Sequence, residues 1–278
     1  MSVNFTEVAD RVHVLRHPVL DVNVTLIVGD RAALVVDTLS TAGQAAELAA
    51  AARTITPHPW MIVNTHHHFD HCFGNATLAG TPACPMYAHE TTVALLRDHA
   101  AEVRRRAYDE MRGTEPVLAA ELAQAQILAP SHAVHLESTV DLGGRLVVLR
   151  HLGRGHTEGD LVVHVPDADL LVAGDLIEES GPPAFEDSYP LEWAGTVAEL
   201  LRLTTARSRV VPGHGAVVGV DFVQRQHEQL SALAWMIRDG HADHSPTQRV
   251  AARAPFGPET ALVAVNRGYA ELTGEALT

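Results

Sequence analysis

Cysteine is nearly missing: Cys72 and Cys84 are the only two in 278 residues. So few thiols argue against a disulfide framework. Positive charge is also short. Twenty basic residues face 34 acidic ones, for a formal net charge of −14 and a pI near 5.6. Such a surface repels phosphate backbones, which argues against nucleic acid as a partner. No run approaches the roughly 20 apolar residues needed to cross a bilayer, so no membrane attachment is expected. The start, MSVNFTEVADRVHVL, lacks a basic stretch followed by a long apolar one. No secretory signal is expected there, and the location read from the sequence is cytoplasmic.

What is present is a chain that is 46% hydrophobic, with 18 histidines. Its length and apolar content suffice for a sizeable core, read here as one domain over residues 1–278. Residues 22–38 predict two strands around a Gly29-Asp30 turn, and the Ala-rich stretch 42–54 predicts a helix. WMIVNT (60–65) predicts a short strand. Residues 91–113 and 115–128 predict two helices, the second with Thr114 as N-cap and Pro116 in its first turn. This pair reads as a helical insert over about 91–128. Strands resume at 139–153, 160–175 and 208–215. Helices are expected at 195–204, 221–240 and near 258–273, the last two forming a helical C-terminal extension of about 221–278. Blocks of strands with helices between and after them predict a layered α/β domain.

The chemistry concentrates in THHHFDH, residues 65–71. In extended backbone His66 and His68 point the same way, and His67 the other. Asp70 and His71 follow where the strand must turn. Imidazoles and a carboxylate together suit zinc, iron or manganese rather than calcium or magnesium. Three later segments share one design, an apolar strand, a glycine, then a ligand-type residue. They place His156 after Gly155, Asp175 after Gly174, and His214 between two glycines. Glycines permit sharp turns there, so each candidate ligand sits where loops gather at one sheet edge.

In this order, H-x-H-x-D-H, a distant His, an Asp and a final Gly-flanked His resemble the metallo-β-lactamase superfamily over about residues 20–216. The resemblance implies a four-layer αββα sandwich carrying a pair of divalent ions, zinc first, with iron or manganese as alternatives. His66, His68 and His156 would hold one ion, Asp70, His71 and His214 the other, and Asp175 would bridge them. Asp37 matches a structural aspartate of the family. The implied activity is a dinuclear metallo-hydrolase. A metal-bound hydroxide, oriented by Asp70 and Asp175 in the catalytic role, would attack a small ester, thioester, lactone or amide (lactam). THHHFDH also looks like the glyoxalase II variant of the motif.

Two rival readings of the same fold are an iron-dependent sulfur dioxygenase or related redox enzyme, and a nuclease, which the acidic charge disfavours. The segment 176–193 leaves the expected bridging aspartate directly and carries Phe185, Tyr189 and Trp193. These three are candidate substrate-binding residues on a cleft wall, with the helices of 91–128 as the opposite wall. His67 is read as supporting a ligand or as a surface residue, Cys72 as a small buried residue, and His89 as structural. Arg104, Arg105 and Arg106 are read as a solvated helix face. His13, His17, His58, His99, His241 and His244 are read as surface residues. The expected partner is a small-molecule substrate, with self-association into a homo-oligomer left open.

Overall fold

The computed structural model describes residues 4–80 and 84–274. The outermost ends of the expected domain, 1–3 and 275–278, lie outside the described residues. The first sheet holds seven strands in sequence order: β1 (Thr6–Ala9), β2 (Val12–Arg16), β3 (Asn23–Val28), β4 (Ala33–Val36), β5 (Trp60–Val63), β6 (Met86–His89) and β7 (His132–Val134). Helix α1 (Ala42–Ile55) crosses from β4 to β5, and α2 (Phe69–Cys72) and α3 (Asn75–Ala79) follow β5. Helices α4 (Glu90–Asp98), α5 (Ala100–Met111) and α6 (Pro116–Leu122) lie between β6 and β7.

The second sheet begins with β8 (Glu137–Asp141), β9 (Leu146–Arg150), β10 (Val162–Val165) and β11 (Leu170–Glu178). Helix α7 (Trp193–Leu201) then leads to β12 (Arg209–His214) and β13 (Val218–Gly219), giving the order β13-β12-β11-β10-β9-β8. The chain closes with α8 (Val220–Ala242), α9 (Thr247–Ala251) and α10 (Pro258–Thr273).

Alternating side chains build the layers. In β4, Leu34 and Val36 join an inner cluster with Val147, Val163 and Val211 of the second sheet. Ala33 and Val35 of the same strand point outward, against Leu48 and Ala52 of α1. In β11, Leu170 and Val172 face the inner cluster, whereas Leu171 and Ala173 pack against Trp193, Leu230, Ile237 and Val265 of the outer helices. A strand buried on both faces in this way reads as a nearly continuous apolar run. Helix, sheet, sheet and helix therefore stack as the expected αββα sandwich.

Two expected helices differ in detail. The stretch 91–113 is broken at His99 into α4 and α5, with no Pro or Gly to mark the break. The second helix ends at Leu122, and its N-cap is Glu115 rather than Thr114. The break lets Leu96, Val103 and Ala107 converge with Phe69, Cys72 and Phe73 in a satellite cluster, so burial of this face outweighs helix continuity. Among the described residues no helix is long and apolar enough to cross a membrane.

Candidate metal centre

All seven expected ligands meet at one edge of the sandwich. His66 and His68 lie in the bent segment between β5 and α2, Asp70 and His71 in α2, His156 in the β9–β10 loop, Asp175 within β11, and His214 at the end of β12. The turn after β5 is held by buried polar side chains: the Asn64 amide Nδ2 and the Thr38 hydroxyl Oγ1 both donate to the His71 carbonyl, at 3.1 and 3.2 Å. Gly213 brings β12 close to β11. A side chain there would run into the Asp175 carboxylate.

The donor atoms form two interlocked groups, each within 4.8 Å. In the first, His68 Nδ1 lies 3.0 Å from His66 Nε2 and 2.8 Å from His156 Nε2. Asp175 Oδ2 stands 3.7 and 3.4 Å from those two Nε2 atoms. In the second, His214 Nε2 is 3.3 Å from His71 Nε2 and 3.2 Å from Asp70 Oδ2. Asp175 reaches this group too, with Oδ2 3.5 Å from His214 and Oδ1 3.1 Å from His71. Asp175 Oδ1 is buried and makes no hydrogen bond.

The far side of most rings decides which nitrogen faces inward. Asp37 Oδ2 accepts from His71 Nδ1 at 2.8 Å, and the Leu20 carbonyl accepts from His214 Nδ1 at 2.7 Å. Thr65 Oγ1 donates to Asp37 at 2.8 Å, leaving its lone pair for His66 Nδ1 at 3.0 Å. Asp187 accepts from His68 Nε2 at 3.1 Å and from His67 Nε2 at 3.2 Å. With these outer bonds made, the inner nitrogen of each neutral ring has its lone pair free for a cation. Converging lone pairs and an unsatisfied buried carboxylate oxygen fit a set of metal ligands.

The electrostatics agree. Burial holds the His66 imidazolium well below its ordinary value and brings His156 down to about 4. Burial works against charge on His68 as well, but Asp187, Asp175 and Asp70 push it up to about 9. His71 is raised despite burial by Asp175, Asp70 and Asp37. Asp70, buried yet facing His71 and His214, falls to about 2. Without a cation, protons on imidazoles thus balance the buried carboxylates. A metal ion would take over that role.

A cavity of about 670 Å³ opens on this cluster. Leu95, Val103, Ala107 and Met111 wall it on the helical insert, and Pro182 and Ala184 wall it on the segment after β11. Arg106 and Glu102 line it as an ion pair of 2.6 Å. Arg105 pairs with Asp109 and Arg104 donates to the Ala125 carbonyl, so the arginine run is internally satisfied.

The three expected substrate residues do not line this cavity. Phe185 and Trp193 are buried in the outer core, where Trp193 Nε1 donates to the Leu176 carbonyl at 3.1 Å. Tyr189 is half-buried under the Arg154 guanidinium, and its backbone N–H donates to the Gly155 carbonyl at 2.8 Å. Trp193 packs edge-on against His156 and Tyr189 holds the Gly155 carbonyl, so these two steady the loop that carries His156, while Phe185 stays in the outer core. His17 is likewise buried rather than on the surface, while His13, His58 and His241 are half-buried and His99 and His244 exposed. His89 caps α4, accepting from Thr91. Cys72 is buried, with its thiol on the His67 carbonyl.

Four residues escaped the sequence reading: Asp187, Glu178, Gln226 and Asp160. Glu178 shares a donor group with Asp175 and His214. Buried Gln226 of α8 accepts from Glu178 N–H at 3.0 Å and donates to the Leu176 carbonyl at 2.9 Å. Asp160 ties the loop after His156, accepting from Thr157 N–H at 2.9 Å and Thr157 Oγ1 at 2.6 Å. Only Asp160 had a local signal, in the H-T-x-G-D run.

Sandwich, ligand order and paired donor groups define a metallo-hydrolase-type fold. A sequence profile described as the metallo-beta-lactamase superfamily matches residues 17–214, and the chain belongs to that superfamily. An uncharacterized protein of Mycobacterium tuberculosis is 26% identical over 186 residues, covering 63% of this chain and 78% of its own. The acyl-coenzyme A thioesterase MBLAC2 of Bos taurus is 25% identical over 171 residues, 59% of this chain and 58% of its own. Among solved structures, a metallo-beta-lactamase from Pontibacter korlensis superposes with a TM-score of 0.66 at 18% identity, covering 82% of this chain and 99% of its own. That likeness concerns the fold.

Proposed function

We propose that the chain is a dinuclear hydrolase, zinc-dependent in the first instance, acting on a small ester, thioester, lactone or amide. The observation that supports it is the shared carboxylate: Asp175 stands within 3.7 Å of nitrogens in both donor groups. His66, His68 and His156 would hold one ion, and Asp70, His71 and His214 the other. When bound, such ions make water nucleophilic near neutral pH and polarise an acyl carbonyl. Asp70 and Asp175 would accept hydrogen bonds from the attacking water and orient it. Asp37, Thr65, Asp187 and the Leu20 carbonyl keep the ring nitrogens aimed inward. The apolar wall of Leu95, Val103, Ala107 and Met111 would bury the acyl part and exclude bulk water. The bovine relative's name makes thioesters the first substrates to try.

The test combines elemental analysis with turnover of ester, thioester, lactone and lactam panels. Two zinc ions per chain and hydrolysis are expected, with metal content cut and turnover abolished in His66→Ala. One iron per chain with oxygen uptake and no hydrolysis would replace this reading with the oxidative one.

A further inference from the structure

One buried carboxylate at the centre is not used by the ligand set described so far. Glu178 is 9% exposed, lines the cavity, and groups with Asp175 and His214 with all donor atoms within 4.8 Å. In a regular strand a residue three positions from Asp175 would face the opposite side. Strand β11 is not regular there. Gly174 pairs with Pro212 and Glu178 with His214, so four steps along β11 oppose two along β12. Gly174 enters this bulge at φ +54, and afterwards Leu176 and Ile177, adjacent in sequence, both pack into the same outer core. The alternation has slipped, and Glu178 is turned to the side of Asp175. Gln226, bonded to Glu178 N–H and the Leu176 carbonyl, holds the displaced backbone in place.

Three carboxylates, Asp70, Asp175 and Glu178, thus crowd the two imidazoles of His71 and His214. Buried like charges at this spacing must be balanced by protons or by a cation, and a cation between them balances all three at once. Ligands on opposite sides of one ion stand about 4.2 Å apart, given bonds of about 2.1 Å. The group of Asp175, Glu178 and His214 is within small side-chain adjustments of that. Resting on the dinuclear reading above, we propose that Glu178 is a further ligand of the second ion. The first pocket then offers three nitrogens and one carboxylate. The second offers two nitrogens and three carboxylates, a harder set that suits manganese or iron(II) relative to zinc better than the first pocket does.

The test is metal affinity, read without turnover. Wild-type protein and Glu178→Gln are stripped, then titrated with Zn²⁺ and Mn²⁺ in competition with a chromophoric chelator. Expected is unchanged binding of the first ion, with the second weakened about 10- to 100-fold and Mn²⁺ hit harder than Zn²⁺. Glu178→Asp should fall between. Equal second-ion affinity in Glu178→Gln and wild type overturns the proposal. A crystal structure of the loaded wild-type protein decides the matter if the variant does not fold. A Glu178 oxygen within about 2.3 Å of the second ion supports it, and one beyond about 3 Å overturns it. Failure of the dinuclear reading would look different, because the wild type itself would not take up two ions.

Discussion

Replacing Gly213 with alanine should disable the centre while leaving the fold intact. The Cβ would fall 2.8 Å from Asp175 Cγ and 3.0 Å from its backbone nitrogen, and would collide with Oδ1. Carbon atoms rest about 3.5 Å apart or more, so the carboxylate must retreat by at least about 0.7 Å, and the tighter Oδ1 collision asks for more. Metal-ligand distances tolerate only about 0.2 Å. Asp175 touches both donor groups, so both ions lose a ligand at once. A misplacement near 1 Å costs about 100-fold in rate, about 2.7 kcal/mol at 1.36 kcal/mol per tenfold. The φ of Gly213 itself is no obstacle, because it is not among the positive-φ glycines. The assay is metal content by elemental analysis beside kcat/KM, with thermal melting of the stripped protein as the check on folding. Gly195→Ala, where a Cβ meets nothing within 4 Å, is the control. If Gly213→Ala kept two ions and the wild-type rate, the close approach of β12 to Asp175 would not matter, and the assignment of Asp175 as the shared ligand would fall.

Other outcomes follow from the groups around the ligands. Asp187→Asn should weaken the first ion about 10- to 100-fold, since His68 loses the anion that fixes its ring; unchanged chelator competition would show that Asp187 does not position it. Trp193→Ala should cost about 3–5 kcal/mol in urea unfolding of the stripped protein, and Trp193→Phe only about 1 kcal/mol, because Gln226 still donates to the Leu176 carbonyl. Gln226→Ala leaves the Glu178 N–H unpaired and should cost about 1–3 kcal/mol; a loss below 0.5 kcal/mol, roughly the noise of such comparisons, would mean water replaces it. His89 sets a pH dependence. Burial, then His151, bring its pKa down to about 4 from 6.5, with Glu90 and His135 also near. A depressed folded pKa means that the unfolded chain takes up the proton first, so stability falls as pH drops from about 6.5 toward 4. Protonation would also end the acceptance by Nδ1 from Thr91. The loss is about 1–2 kcal/mol after allowing for solvent contact, and His89→Asn, which keeps a cap acceptor, should flatten that acid slope.

The convergence of the candidate ligands and the layers were both legible in the sequence for one reason: both are written in local patterns. Alternation in ALVV and LLVA places residues on either side of a sheet, and a glycine precedes each of His156, Asp175 and His214, although the strand ends there only at His214, while Gly174 lies inside β11 and Gly155 in a loop. Whatever depends on a partner strand or a distant helix left no such mark. Glu178 is three residues past Asp175, which period two assigns to the wrong face. Its orientation comes from the two steps of β12 opposite four of β11. Phe185 and Trp193 follow the bridging aspartate in sequence and so suggest a cleft wall, yet α8 and α10 cover them from more than 25 residues away. The strands β1 and β2 went unassigned, and the break at His99 is set by a cluster centred on α2 rather than by a helix stop.

The same division explains how the chain keeps its ligands rigid. A histidine in a loop has rotamer freedom that costs affinity each time it is frozen. Here the freezing is done in advance by groups that never face the ion: Asp37 for His71, the Leu20 carbonyl for His214, Thr65 for His66 and Asp187 for His68. Their anchors differ. Asp37 and Thr65 belong to the first sheet and its edge, so His66 and His71 stand on the rigid sandwich. Asp187 lies in the segment after β11, which also walls the cavity and is tied to α10 through Arg267 donating to the Ser188 carbonyl at 2.8 Å. Whatever moves that wall when a substrate enters must also act on His68, so the first donor group and the cavity wall are mechanically joined through a single carboxylate.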